Sequence, residues 1–132
     1  MFVDPNLASW SSKKQRTLSQ SSTEAEFRSV AGVVSEITWV RALLAELAIS
    51  QTRPPDVLCD NSSAVMLSAN PVLHARTKHV EMDLYFVREK VAAGLIRVKH
   101  IPASEQIADV LTKPISTSSF PALRSKLTVF DT

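Results

Sequence analysis

The stretch Val57-Leu58-Cys59-Asp60-Asn61-Ser62-Ser63-Ala64 decides how this chain is read. Residues 56–59 have the pattern of a short apolar strand, and that pattern stops at an aspartate. Asn61, Ser62 and Ser63 then open a helical pattern. A carboxylate at the C-terminal end of a strand, facing the next helix, stands where open α/β sheets place their chemistry. Two more carboxylates can be argued toward the same place: Glu26, on a long helix upstream, and Asp109, on a short helix near the end. Acidic clusters of this kind hold divalent metals, and such metals cut phosphodiesters.

Working upstream, a helix is expected from near Ser21 to about Ile49, ahead of the Pro54-Pro55 breaker. Ser21-x-x-Glu24 and Thr23-x-x-Glu26 both match the capping-box pattern. The apolar residues Val30, Val33, Ile37, Val40, Leu44 and Leu47 are spaced as an inward helix face requires. Glu26 extends that stripe four residues before Val30. At ~100° per residue, Glu24 lies about 160° away, so it is expected as the cap and solvent residue. A core-facing carboxylate costs free energy unless it is paired or bound to metal, which makes Glu26 informative.

Upstream of that helix, residues 7–11 read as a short strand, followed by the basic turn Lys13-Lys14-Gln15-Arg16, with residues 17–20 extending or restarting the strand. Downstream, a helix over 62–69 ends at Asn70-Pro71. Another runs over about 77–93 with the stripe Val80, Leu84, Val87 and Val91, and Gly94 is its expected C-cap. Residues 95–101 alternate as a strand, with Leu95, Arg97 and Lys99 opposite Ile96, Val98 and His100. Ser104 is expected to cap a helix that holds Asp109 and ends near Pro114, and the tail holds one more short helix at about 120–127. Helices alternating with strands argue an α/β layered domain.

Bulk composition bounds the function classes. The 132 residues suit one domain; 45% are hydrophobic and 21% charged, as in ordinary globular proteins. A net charge of +2, from 15 basic and 13 acidic residues, is too mild to argue nucleic-acid binding on its own. No run of ~18 apolar residues spans a membrane, and no charged-then-apolar start signals secretion. An intracellular location, cytoplasmic or nuclear, is expected. Cys59 is the only cysteine, which excludes an internal disulfide, fits a reducing compartment and suggests a buried, inert thiol. Two glycines leave little room for a Gly-rich phosphate loop.

Five motifs occur in order: Ser9-Trp10-Ser11-Ser12-Lys13-Lys14-Gln15, Ser21-Ser22-Thr23-Glu24-Ala25-Glu26-Phe27, Cys59-Asp60-Asn61, His74-x-Arg76-Thr77-Lys78-His79 and Ala108-Asp109-x-x-Thr112-Lys113. Together they resemble the C-terminal RNase H domain of copia-type LTR-retrotransposon Pol polyproteins, over about residues 8–127. The resemblance implies an α/β fold, an RNase H-like mixed sheet with flanking helices. It implies hydrolysis of the RNA strand of RNA/DNA hybrids by two Mg²⁺ ions (or Mn²⁺) held by four carboxylates. Glu26 matches the family glutamate on the first helix, Asp60 the aspartate ending the fourth strand, and Asp109 the last aspartate.

The first family aspartate belongs to a strand several tens of residues before Trp10. Here nine residues precede Trp10, and Asp4 does not match. Residues 1–132 therefore resemble a single truncated RNase H domain with its first strand missing, and 116–132 a C-terminal extension. The expectation is impaired catalysis; the alternative is a non-catalytic retrotransposon remnant or a hybrid-binding interaction module. No catalytic histidine is carried over, because His100 sits in the strand pattern, and there is no basic handle helix. The implied partners are an RNA/DNA hybrid, recognised by shape and 2′-hydroxyls, and the reverse transcriptase domain of the parent polyprotein. Lys13, Lys14, Arg16, Arg76 and Lys78 are candidate phosphate contacts, which position a duplex without specifying its sequence.

Simpler readings stand beside these. Asp60 could be only the N-cap of the following helix, and Glu26 a half-buried residue paired with a lysine. Asp109 rests on the resemblance alone, because Ile107 and Leu111 share a face and Asp109 points elsewhere. Lys13, Lys14 and Arg16 could form a solvated turn. His74 and His79 read as turn and helix-start residues, while Glu81 and Asp83 favour their helix dipole. Trp10 and Trp39 are expected in the core or packed on the sheet.

Overall fold

A computed structural model describes residues 1–3, 6–15, 21–70 and 78–127. A two-residue hairpin opens the chain: β1 (Phe2–Val3) pairs antiparallel with β2 (Asn6–Leu7), Phe2 opposite Leu7. Beyond Leu7 the backbone N–H groups of Ala8 and Ser9 both donate to the Met1 carbonyl, which ends the ladder. The strand expected over 7–11 is therefore cut short, and Trp10 is exposed rather than packed on a sheet. The strand expected over 17–20 lies outside the described residues.

Ser21 caps α1 (Ser22–Glu46): its backbone is extended and its hydroxyl oxygen accepts from the Glu24 N–H at 3.2 Å. The buried face is Phe27, Val30, Ala31, Val34 and Ile37. Glu24 falls on that face, three residues before Phe27, and is 4% exposed, which corrects the expectation of a solvent residue. No buried side-chain polar atom among the described residues lacks a hydrogen-bond partner. The cause of the difference is rotation: the face that docks is turned roughly a quarter turn from the expected stripe. Val33 and Leu47, expected inside, are exposed, and so is Trp39.

The end of α1 is built from Ala48 in the left-handed region (φ 59°). Its N–H donates to Ala45 O at 3.0 Å, and the Ile49 N–H donates to Leu44 O at 2.9 Å. This is the Schellman pattern, and it stops the helix at Glu46.

β3 (Asp56–Cys59), α2 (Ser62–Ala69), α3 (Lys78–Ala92) and β4 (Arg97–His100) follow. β3 and β4 pair in parallel, Asp56 opposite Arg97 through Cys59 opposite His100. Val57, Cys59 and Ile96 are buried, while Asp56, Leu58, Arg97 and Lys99 face outward, as period-2 alternation requires. On α3, Val80, Leu84 and Val87 are buried as expected. Gly94 (φ 70°) closes α3 in the pattern that closes α1: Gly94 N–H to Val91 O and Leu95 N–H to Lys90 O, both 3.0 Å.

The chain divides into two compact units, one of residues 18–103 and one of residues 1–17 with 104–132. In the first, α1, α2 and α3 pack on one another and α1 and α2 also on the parallel pair, around Phe27, Val34, Val80, Leu84 and Val87. The Ser68 hydroxyl, also fully buried, donates to Ala64 O at 3.0 Å.

The second unit holds the hairpin, α4 (Asp109–Thr112) and α5 (Phe120–Lys126). Ser104 lies inside a 3-10 turn, Ala103–Glu105, and does not cap the helix of Asp109. That helix starts after Ala108 with no side-chain cap and lasts one turn.

Among the described residues the architecture is mixed α/β, with helices and two small sheets. Among the described residues no helix is long and apolar enough to cross a membrane.

Candidate metal centre

Two backbone devices deliver the centre. β3 runs inward-outward so that Cys59, its last residue, points into the core. The chain then bends at Asp60, and Asn61 caps α2: its Oδ1 accepts from the Ala64 N–H at 3.0 Å. The capping role open to Asp60 is thus taken by its neighbour, and Asp60 stands just outside the helix. Glu26 comes from the N-terminal part of α1.

The side chains of Glu26, Asp60 and Cys59 converge, with one ligand atom from each within 4.8 Å of the others. Glu26 and Asp60 are half-buried and Cys59 is buried. Two carboxylate charges this close repel by about 1–3.5 kcal/mol for effective dielectric constants between water and a protein surface. Burial pushes the Cys59 thiol above its ordinary 9.0, and the Glu26 and Asp60 charges add to that, against hydrogen bonding with the Asn61 backbone. The sulfur also donates to the Asn61 carbonyl at 3.7 Å. The centre therefore offers two carboxylates beside a thiol that stays neutral at neutral pH. Paired carboxylate oxygens fit a hard dication such as Mg²⁺ or Mn²⁺.

Asp109, the third expected ligand, opens α4 in the other unit and pairs with Lys113 at 3.0 Å. Of the expected phosphate contacts, Lys13 and Lys14 are exposed in irregular chain of that unit. Arg16, Arg76 and the Lys78 side chain lie outside the described residues, as do His74 and the His79 side chain. The Lys78 backbone opens α3. His100 is an exposed strand residue.

Two features escaped sequence reasoning. Cys59 read as buried and inert, yet it also forms the inner wall of the carboxylate pair; its adjacency to Asp60 was the available signal. Asp56 bridges two cations on the outer face of the parallel pair, Arg97 Nε at 2.8 Å and Lys99 Nζ at 3.0 Å. Burial pushes its carboxyl up, but the Lys99 hydrogen bond and the Arg97 and Lys99 charges outweigh that and hold it below its ordinary 3.8. Alternation placed Arg97 and Lys99 on one face, but only the register brings Asp56 between them.

Fold and centre together describe a mixed α/β segment with a carboxylate pair at the C-terminal end of a parallel strand. Sequence comparison gives that segment its context. Over 129 residues, 98% of the chain, it is 51% identical to the retrovirus-related Pol polyprotein from transposon RE1 of Arabidopsis thaliana and 49% identical to that from transposon RE2 of the same plant. Over 112 residues, 85% of the chain, it is 38% identical to the retrovirus-related Pol polyprotein from transposon TNT 1-94 of Nicotiana tabacum. The chain spans 8–9% of the length of these curated relatives. No family model matches the chain, and no solved structure does. The chain is homologous to a short segment of retrovirus-related Pol polyproteins and is retroelement-derived.

Proposed function

We propose that this chain is the ribonuclease H segment of a copia-type retroelement Pol polyprotein, with an RNase H-like fold, acting on the RNA strand of RNA/DNA hybrids. The observation that carries the reading is the convergence of Glu26 and Asp60, from two separate elements, within 4.8 Å at the end of β3. The five ordered motifs and the Pol polyprotein relatives support the same reading.

Glu26 and Asp60 would hold Mg²⁺ or Mn²⁺, with Asp109 as the further ligand that the resemblance implies. Bound ions would supply charge stabilisation for an in-line displacement at the phosphodiester. The chain's own residues prepare that chemistry. The Asn61 cap fixes the backbone beside Asp60. The buried Cys59 thiol lies beside the half-buried carboxylate pair. Lys13 and Lys14, with Arg16, Arg76 and Lys78, are the proposed phosphate contacts. The proposed setting is inside the cell, beside the reverse transcriptase domain of the parent polyprotein.

The test incubates the chain with an RNA/DNA hybrid and Mg²⁺ or Mn²⁺, beside Asp60→Asn. Metal-dependent loss of the RNA strand, absent in the variant, supports the reading. Binding of the hybrid with no metal dependence and no cleavage points to a binding module. A folded chain that neither binds nor cuts the hybrid overturns the proposal.

A further inference from the structure

Cys59 is a donor at the carboxylate pair that a hard dication leaves unused. It is 3% exposed, and its sulfur lies within 4.8 Å of an oxygen of Glu26 and an oxygen of Asp60. Its S–H donates to the Asn61 carbonyl at 3.7 Å, a long contact from a weak donor. A buried sulfur held so loosely is thus aimed at two half-buried carboxylates. Two oxygens and one sulfur form a different donor set from two oxygens alone. Mg²⁺ takes oxygen, whereas thiolate ligands select zinc-class ions.

We infer that Glu26, Asp60 and Cys59 together form a site for a thiophilic dication of the zinc class, which antagonises the hard metal at the same centre. The inference rests on the reading that Glu26 and Asp60 are a metal centre. Zinc takes carboxylate oxygen at about 2.0–2.2 Å and thiolate sulfur at about 2.3 Å, in a tetrahedron. Donor atoms around such an ion sit roughly 3.4–3.6 Å apart, so the three side chains here close by on the order of 1 Å. The thiol is neutral without metal, but coordination deprotonates a thiol outright. The S–H bond breaks, its proton passes to solvent, and a sulfur–metal bond forms. Once all three donors ligate, their negative charges outweigh the two positive charges of the ion. The loaded centre then repels a phosphodiester instead of drawing one in.

The test titrates the full chain with Co²⁺, a spectroscopic substitute for zinc, and then displaces it with Zn²⁺. The chain holds a single cysteine, so a thiolate-to-cobalt charge-transfer band can come only from Cys59. The expected result is a band that saturates at one ion per chain and bleaches as Zn²⁺ is added. Cys59→Ser and Cys59→Ala lose the band. They bind Zn²⁺ at least roughly tenfold more weakly by calorimetry, since even changes outside the ligand shell cost about 10–100-fold. Their affinity for Mn²⁺ stays within about twofold of the parent, because Mn²⁺ is served by the oxygens. Two variants are used because the site is buried, and unchanged far-ultraviolet circular dichroism will confirm that they fold. A chain that binds Mn²⁺ through Asp60 but shows no thiolate band overturns this inference and leaves the metal-centre reading standing. A thiolate band from a chain that cuts no hybrid supports the inference and counts against the nuclease reading. Zinc held equally tightly by both Cys59 variants, or no metal bound at all, overturns the inference.

Discussion

Replacing Asp60 by asparagine should stabilise the metal-free chain and, in the same protein, abolish most of its response to divalent metal. The two effects have one cause. Glu26 and Asp60 place carboxylate oxygens within 4.8 Å of each other, where like charges repel by about 1 kcal/mol in water and up to ~3.5 kcal/mol at an effective dielectric constant of 20. Both residues are half-buried, so the repulsion lies between these limits, and its lower bound, about 1 kcal/mol, sets the minimum gain. Asparagine keeps the shape and removes the charge, and because Asn61 rather than Asp60 caps α2, no helix cap is lost. For a chain of this size, 1 kcal/mol raises the melting temperature by roughly 3–6 °C. With Mn²⁺ at a hundred times its dissociation constant the parent should gain about 2.7 kcal/mol, and the variant, short of one anionic ligand, well under 1 kcal/mol. Thermal unfolding with and without MgCl₂ or MnCl₂, at ionic strength matched with NaCl, reads both. A variant less stable than the parent without metal, or one with an equal metal-induced shift, would refute the reasoning.

Ala48→Gly should stabilise the chain by about 0.5–1 kcal/mol in urea titration: a left-handed residue with a Cβ costs about 1–2 kcal/mol, and glycine's greater unfolded freedom returns part of that. Gly94→Ala should lose about 1 kcal/mol, since the same left-handed cap would now carry a Cβ (φ 70°). Asn61→Ala should cost about 1 kcal/mol by leaving the Ala64 N–H without its cap. Asp56 supplies a pH test. Its folded carboxyl titrates below the ordinary 3.8, so its pairing stabilises the chain above about pH 4 and is lost as pH falls through the folded value. For so exposed a pair the contribution is no more than about 1 kcal/mol. Asp56→Asn should therefore be slightly less stable than the parent at pH 7 and indistinguishable from it near pH 2, by urea titration at each pH.

Much of the fold was legible because its signals are local. Ser21 caps α1, α2 spans the residues its pattern marked, α3 buries Val80, Leu84 and Val87, and Gly94 ends it in the left-handed conformation that glycine favours. Most of what failed was non-local. The expected stripe of α1 straddles two apolar arcs, and periodicity cannot say which of two adjacent arcs meets a neighbour. The docking of α2, α3 and β3 selected the arc that includes Glu24 and turned Trp39 and Leu47 outward. Ser104 failed as a cap because a 3-10 turn took its place, a local choice that no periodicity reports.

The candidate centre divides the same way. Glu26 and Asp60 were singled out from sequence, one as a carboxylate near an apolar face and one at a strand end. Sequence also left Asp60 open as a mere helix cap, and only the hydrogen bond from Ala64 to Asn61 decides that. By itself, the sequence determined the order and kinds of elements from α1 to β4 and the residue types able to hold a cation, since capping, turn formation and side-chain period act within a few residues. Tertiary structure alone decided which face of α1 is buried, that Asp56 lies between Arg97 and Lys99, and that Glu26, Cys59 and Asp60 meet. Those outcomes depend on packing and strand register between segments far apart in the chain, which set how two elements meet and leave no imprint on either one alone.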